Sequence, residues 1–112
     1  LEASKKIRSK IIMIKNKLIN NYTIINAATK VTGKPQKILR GTSRQNSVVL
    51  VRNLCYKIAK DHLYLSDKEI SRSFNRDRSA VTYALKHTET KLNERPQYRN
   101  MLQAIEEELG LC

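Results

Sequence analysis

Tryptophan is absent from this chain, phenylalanine occurs once, and only three glycines and two prolines punctuate its 112 residues. Folds of many short strands need turn residues at close intervals, so this scarcity disfavours them and points to long helices. The two cysteines, Cys55 and Cys112, lie far apart and provide neither a disulfide framework nor a metal-ligand spacing. No apolar run reaches transmembrane length, and no signal-peptide pattern opens the chain. In "KIRSKIIMIKNKL" lysines interrupt the isoleucines too often for a span. A reducing cytoplasm is the expected home.

The sharpest shortage is of acid. Residues 1–60 hold fourteen Lys and Arg against a single carboxylate, Glu2, whereas residues 61–112 are nearly balanced, with eight basic and nine acidic side chains. The whole chain carries a formal charge of +12 and a pI near 10.0. So lopsided a distribution is the footprint of phosphate contacts, with a nucleic acid as the expected partner. An anionic membrane surface and a merely solvated basic face are the competing readings.

Apolar spacing supplies the elements. Ile7, Ile11, Ile14 and Leu18 recur at helical intervals, with Ile12 and Ile19 widening the stripe, so residues 5–19 are expected as a basic amphipathic helix. Its apolar face would pack on the core, dimerise, or join a neighbouring domain. "TIINAATKV" reads as a second helix closed by Gly33, and Pro35 suits the first turn of "PQKIL". After the polar loop "RGTSRQN", Ser47 is placed to cap "VVLVRNLCYKIAKDH". There Val51, Leu54, Cys55, Ile58 and Ala59 form one stripe, which makes Cys55 a buried apolar residue. Ser66 and Glu69 form a capping box for "DKEISRSF", whose Ile70 and Phe74 face inward. After Pro96, Tyr98, Met101, Leu102, Ile105 and Leu109 mark a last amphipathic helix. The expected fold is all-α: an N-terminal helix over residues 1–21, then one bundle over 22–112.

The stretch "LSDKEISRSFNRDRSAVTYALKHT" pairs a helix about two turns long with a second helix across a tight polar break. That is the arrangement of a helix-turn-helix. Val81, Ala84, Leu85, Thr88 and Leu92 take the inner face of the second helix, and Arg78, Ser79, Thr82, Tyr83 and Lys86 take the opposite face. Asp77 stands at its start, where it can accept backbone hydrogen bonds. Arginine can pair bidentately with guanine, serine and threonine can bond bases or phosphates, and a threonine methyl can meet a thymine methyl.

"FNRDRSAVTYALK" resembles the signature of the C-terminal, origin-binding domain of the bacterial replication initiator DnaA. Upstream, "VTGKPQKILRGTSRQNSVVLVRNLCYKIAKDHLYLSDKEISRSF" follows that domain's pattern of helix, basic loop ending in Arg-Gln, and long core helix. The resemblance covers roughly residues 24–92. It implies that Asp77, Arg78, Ser79 and Thr82 face the major groove and that Arg52 enters the adjacent minor groove. Arg44, Arg76 and Lys86 would serve the basic loop and the DNA backbone. Asn75 replaces the signature glycine while still tolerating a left-handed backbone. Arg78 stands where histidine is usual, Ala80 replaces a threonine, and "VLVRN" departs from the family's usual "ARPRQ". Short stand-alone relatives share the R-D-R form.

The function expected is sequence-specific binding of double-stranded DNA in the control of replication initiation or transcription, on the nucleoid, with a homodimer possible. A protein-interaction module docking through the N-terminal helix is the alternative. No phosphate-cradling G-x-x-x-x-G-K-[ST] occurs, so an ATPase part would be absent or precede Leu1. Asp61, Asp67, Glu69 and Asp77 are accounted for by caps or helix surface, and "EEE" at 106–108 by a solvated face. His62 and His87 lack partners at helical spacing. No catalytic residue, metal, cofactor or small-molecule substrate is therefore expected.

Overall fold

The structure, a computed structural model, describes residues 12–14 and 17–111. Strands β1 (Ile12–Ile14) and β2 (Lys17–Ile19) pair antiparallel, with Ile12 opposite Ile19. Then come α1 (Asn21–Thr32), α2 (Gln36–Arg40), α3 (Asn46–Leu63), α4 (Asp67–Ser73), α5 (Arg78–Glu94) and α6 (Pro96–Leu109). From Asn21 to Leu109 the expected all-α bundle is what forms.

The helix expected over residues 5–19 does not form where that segment is described. Isoleucines at positions 12, 14 and 19 are β-branched and stiff at χ1, which lowers helix propensity and suits a strand. Ile19 is 1% exposed and β2 packs on α1, so tertiary burial is available to the strand without a helix. Ile7 and Ile11 of the expected stripe lie outside the described residues.

Local signals start and stop the bundle helices. The Asn20 side chain accepts from the Thr23 amide at 2.9 Å, and the Thr23 hydroxyl oxygen accepts in return from the Asn20 backbone amide. Gly33 ends α1 at φ 77°, a left-handed cap. Helix α3 begins two residues earlier than expected, at Asn46, and Ser47 sits inside its first turn instead of capping it. The Ser66/Glu69 capping box is present as read, with both bonds at 3.1 Å.

Helix α3 is the central member, packing on α1, α2, α4 and α5, while α6 closes the bundle against α1. Its stripe of Val51, Leu54, Cys55, Ile58 and Ala59 is buried as expected. Ile24, Ile25 and Ala28 of α1, Ile70 and Phe74 at α4, Val81 and Leu92 of α5, and Ile105 and Leu109 of α6 complete the core. Phe74 meets Tyr56 edge-on at 4.9 Å between centroids, which anchors the end of α4 on α3. At about 25 cal/mol per Å² of apolar surface, each such buried side chain contributes on the order of 1.5–3 kcal/mol to holding α4 and α5 in place. Among the described residues, no helix is long and apolar enough to cross a membrane.

Candidate nucleic-acid interface

Helices α4 and α5 meet across Phe74 to Asp77. Asn75 adopts φ 54°, the left-handed conformation expected for the residue replacing the signature glycine. The Arg76 amide reaches back to the Ser71 carbonyl at 2.8 Å, closing the turn. Val81, Thr88 and Leu92 are buried beneath α5, and Ala84 and Leu85 are half-buried, so the inner stripe lies where the periodicity put it.

The opposite face is open. Asp77, Arg78, Ser79, Tyr83 and Lys86 are exposed, and Arg78, Ser79, Thr82, Tyr83 and Lys86 line one shallow concavity. The side chains of Arg78 and Lys86 make no ion pair or hydrogen bond among the described residues. Asp77 occupies the N-cap position, as expected, but its carboxylate accepts no capping bond. The first amides of α5 therefore keep their positive end free for an anion.

Thr82 is only partly on this face. Its hydroxyl group donates to the Asp67 carboxylate at 2.6 Å, and Lys60 binds the other oxygen of that carboxylate at 2.6 Å. These bonds hold the Asp67 carboxyl group below the ordinary carboxylate pKa, Lys60 contributing most and Thr82 next. They also tie α3, α4 and α5 together. Asp67, read from sequence as a helix-start residue, thus positions an expected contact residue. No local pattern marks that role, because Asp67 and Thr82 stand 15 residues apart. Tyr83 is 70% exposed and stacks parallel on His87, with centroids 6.0 Å apart.

Arg52 is the clear correction. It was expected in a minor groove, yet it is 6% exposed. Its Nε donates to the Leu39 carbonyl at 2.9 Å, Nη1 to Ser43 at 3.0 Å and Nη2 to Ile38 at 3.4 Å. A guanidinium has a planar fork of donors, and here it satisfies carbonyls at the end of α2 and in the loop that follows. Burial lowers its pKa, with the Arg76 charge adding to the effect. Arg76 is half-buried and donates to the Gly41 carbonyl, so it also braces this loop. Arg44, by contrast, is exposed, with its side chain unpaired among the described residues.

A short helix, a left-handed turn and a second helix with one buried and one open face define a helix-turn-helix protein. Residues 22–87 match the family model described as the bacterial DnaA protein helix-turn-helix, and the chain belongs to that family. Over 68 residues it is 34% identical to the chromosomal replication initiator protein DnaA of Oleidesulfovibrio alaskensis (strain ATCC BAA-1058 / DSM 17464 / G20). That match takes in 60% of this chain and 15% of the relative.

Proposed function

We propose that this domain binds double-stranded DNA sequence-specifically, with the first half of α5 in the major groove, in the control of replication initiation or of transcription. The observation that carries the reading is the open face of α5, where Arg78 and Lys86, unpaired among the described residues, flank Ser79 and Tyr83 above a buried stripe. Arg78 would read a base edge, Ser79 and Asp77 would contact bases beside it, and Lys86 would hold a phosphate. Thr82, its proton directed to Asp67, would offer its methyl group and oxygen lone pairs. Arg44 takes the place first expected of Arg52 as the loop cation for a flanking minor groove, since only Arg44 is exposed. Arg76 would support the loop from beneath.

Such a reader works on the nucleoid, within the cytoplasm, without a catalytic step. The relative's whole length is far greater than this chain, and only the DNA-reading part is carried across. Burial of Ile19 supports docking of β2 on its own bundle. Selection from a random duplex library at physiological salt tests the reading. One enriched half-site would indicate a monomer, and two at fixed spacing a homodimer. Failure to enrich any sequence would overturn the reading and favour an adaptor role.

A further inference from the structure

Beside the reading face, and not part of it, α3, α5 and the start of α6 enclose a recess of about 330 Å³. Its wall includes Asn53, 8% exposed, and Thr88, 3% exposed. Neither side chain makes a hydrogen bond among the described residues, although both line the opening. Their polar atoms open onto the recess and are not sealed from solvent, so both groups are free to bond a polar occupant of that space. Lys91 and Arg95 stand at the same recess, neither in an ion pair among the described residues, and no carboxylate lines it. The Arg95 guanidinium lies 5.9 Å from the centre of the Tyr98 ring, which restricts its motion. Two cations, an amide and a hydroxyl group around one space match the donor demand of a phosphate group.

We infer that this recess, formed by Asn53, Thr88, Lys91 and Arg95, is a phosphate-binding site separate from the base-reading face of α5. The phosphate has two candidate sources, the DNA backbone and a free phosphorylated molecule. Lys91 lies nine residues beyond Thr82, roughly 13–14 Å along the helix axis. At 3.6 residues per turn Lys91 also lies about half a turn around α5 from Thr82, so a DNA strand would have to pass beside the reading face to reach the recess.

The test is titration of the isotopically labelled chain with inorganic phosphate, and separately with duplex, following the amide resonances of Asn53, Thr88, Lys91 and Arg95. Phosphate is expected to shift them saturably, and Lys91→Ala to weaken that binding about tenfold, the loss of one charge-assisted hydrogen bond. Lys91→Gln keeps the side-chain stem and should weaken it as much. Lys30→Ala, on α1, should leave it unchanged. A backbone source predicts that duplex moves the same amides, and that Lys91→Ala reduces the salt slope of duplex binding by about one. A free ligand predicts phosphate binding while duplex leaves them unmoved. No saturable shift with either probe overturns the site, as does equal weakening by Lys91→Ala and Lys30→Ala. Loss of duplex binding with phosphate still held at the recess would reject the DNA reading alone.

Discussion

Two arginines of one neighbourhood differ in burial, Arg52 turned inward and Arg44 exposed. Arg52→Ala removes a guanidinium that serves the carbonyls of Ile38, Leu39 and Ser43, leaving those acceptors poorly satisfied beneath the loop. Stability should fall by about 1–3 kcal/mol, read as a shift in the chemical-denaturation midpoint. Arg44→Ala should leave that midpoint unchanged and weaken duplex binding, most on sites with an A·T-rich flank. The reverse pattern, with Arg52→Ala stable and flank-sensitive, would restore Arg52 to the groove. On α5, Arg78→Ala should cost roughly 1–3 kcal/mol of binding and relax preference at one base position, whereas Lys86→Ala should weaken all sequences alike. A uniform loss from both, measured across a panel of single-base variants, would remove base readout from Arg78. Cys55 is a simpler case: burial pushes its thiol up to about 12, so it should resist a thiol reagent until the chain is unfolded.

At the scale of elements, the α4–α5 unit depends on its cap, its turn and one carboxylate. Ser66→Ala breaks a formed capping box and should destabilise by about 0.5–2 kcal/mol. Asn75→Val forces a β-branched side chain to φ 54° and should cost roughly 1–3 kcal/mol, while Asn75→Gly should be tolerated. Similar thermal midpoints for the two would contradict the left-handed turn. Asp67 makes the unit acid-sensitive. Its folded pKa is depressed by Lys60 and Thr82, so its contribution is present above the ordinary carboxylate value of 3.8 and is lost as pH falls through the lower folded value. Asp67→Asn should therefore lower stability at neutral pH and flatten the acid limb of a pH–stability profile. The capping box and the turn residue are both legible in sequence because their partners lie within a few positions. The Asp67–Thr82 bond is not legible, since it exists only once two helices have docked.

For the whole molecule, charge sets the long-range behaviour. A net +12, concentrated in the first 60 residues, should make duplex association strongly salt-dependent. With about five to eight phosphates neutralised, the log–log slope would be near −4.5 to −7, and a slope near zero would argue against any backbone contact. The acidic side chains of the second half are used partly within the bundle. Glu106 holds His62 at 2.8 Å, Asp61 meets Lys57 at 2.9 Å, and Glu89 also pairs with Lys57. Composition therefore exposes the charge imbalance, while packing determines which cations remain available to a partner.

By itself, the order of residues determined the helical class, the starts of α4 and α5, the inner stripe of α5 and the polyanion preference. Each of these follows from short-range periodicity, capping chemistry or a sum of charges. Tertiary structure decided that Arg52 turns inward, that Thr82 is tied to Asp67, that residues 12–19 include paired strands, and that Asn53 and Thr88 share a recess with Lys91. Those outcomes arise from burial and hydrogen bonding between positions distant in sequence, where the competition between water and a neighbouring element is settled only by folding.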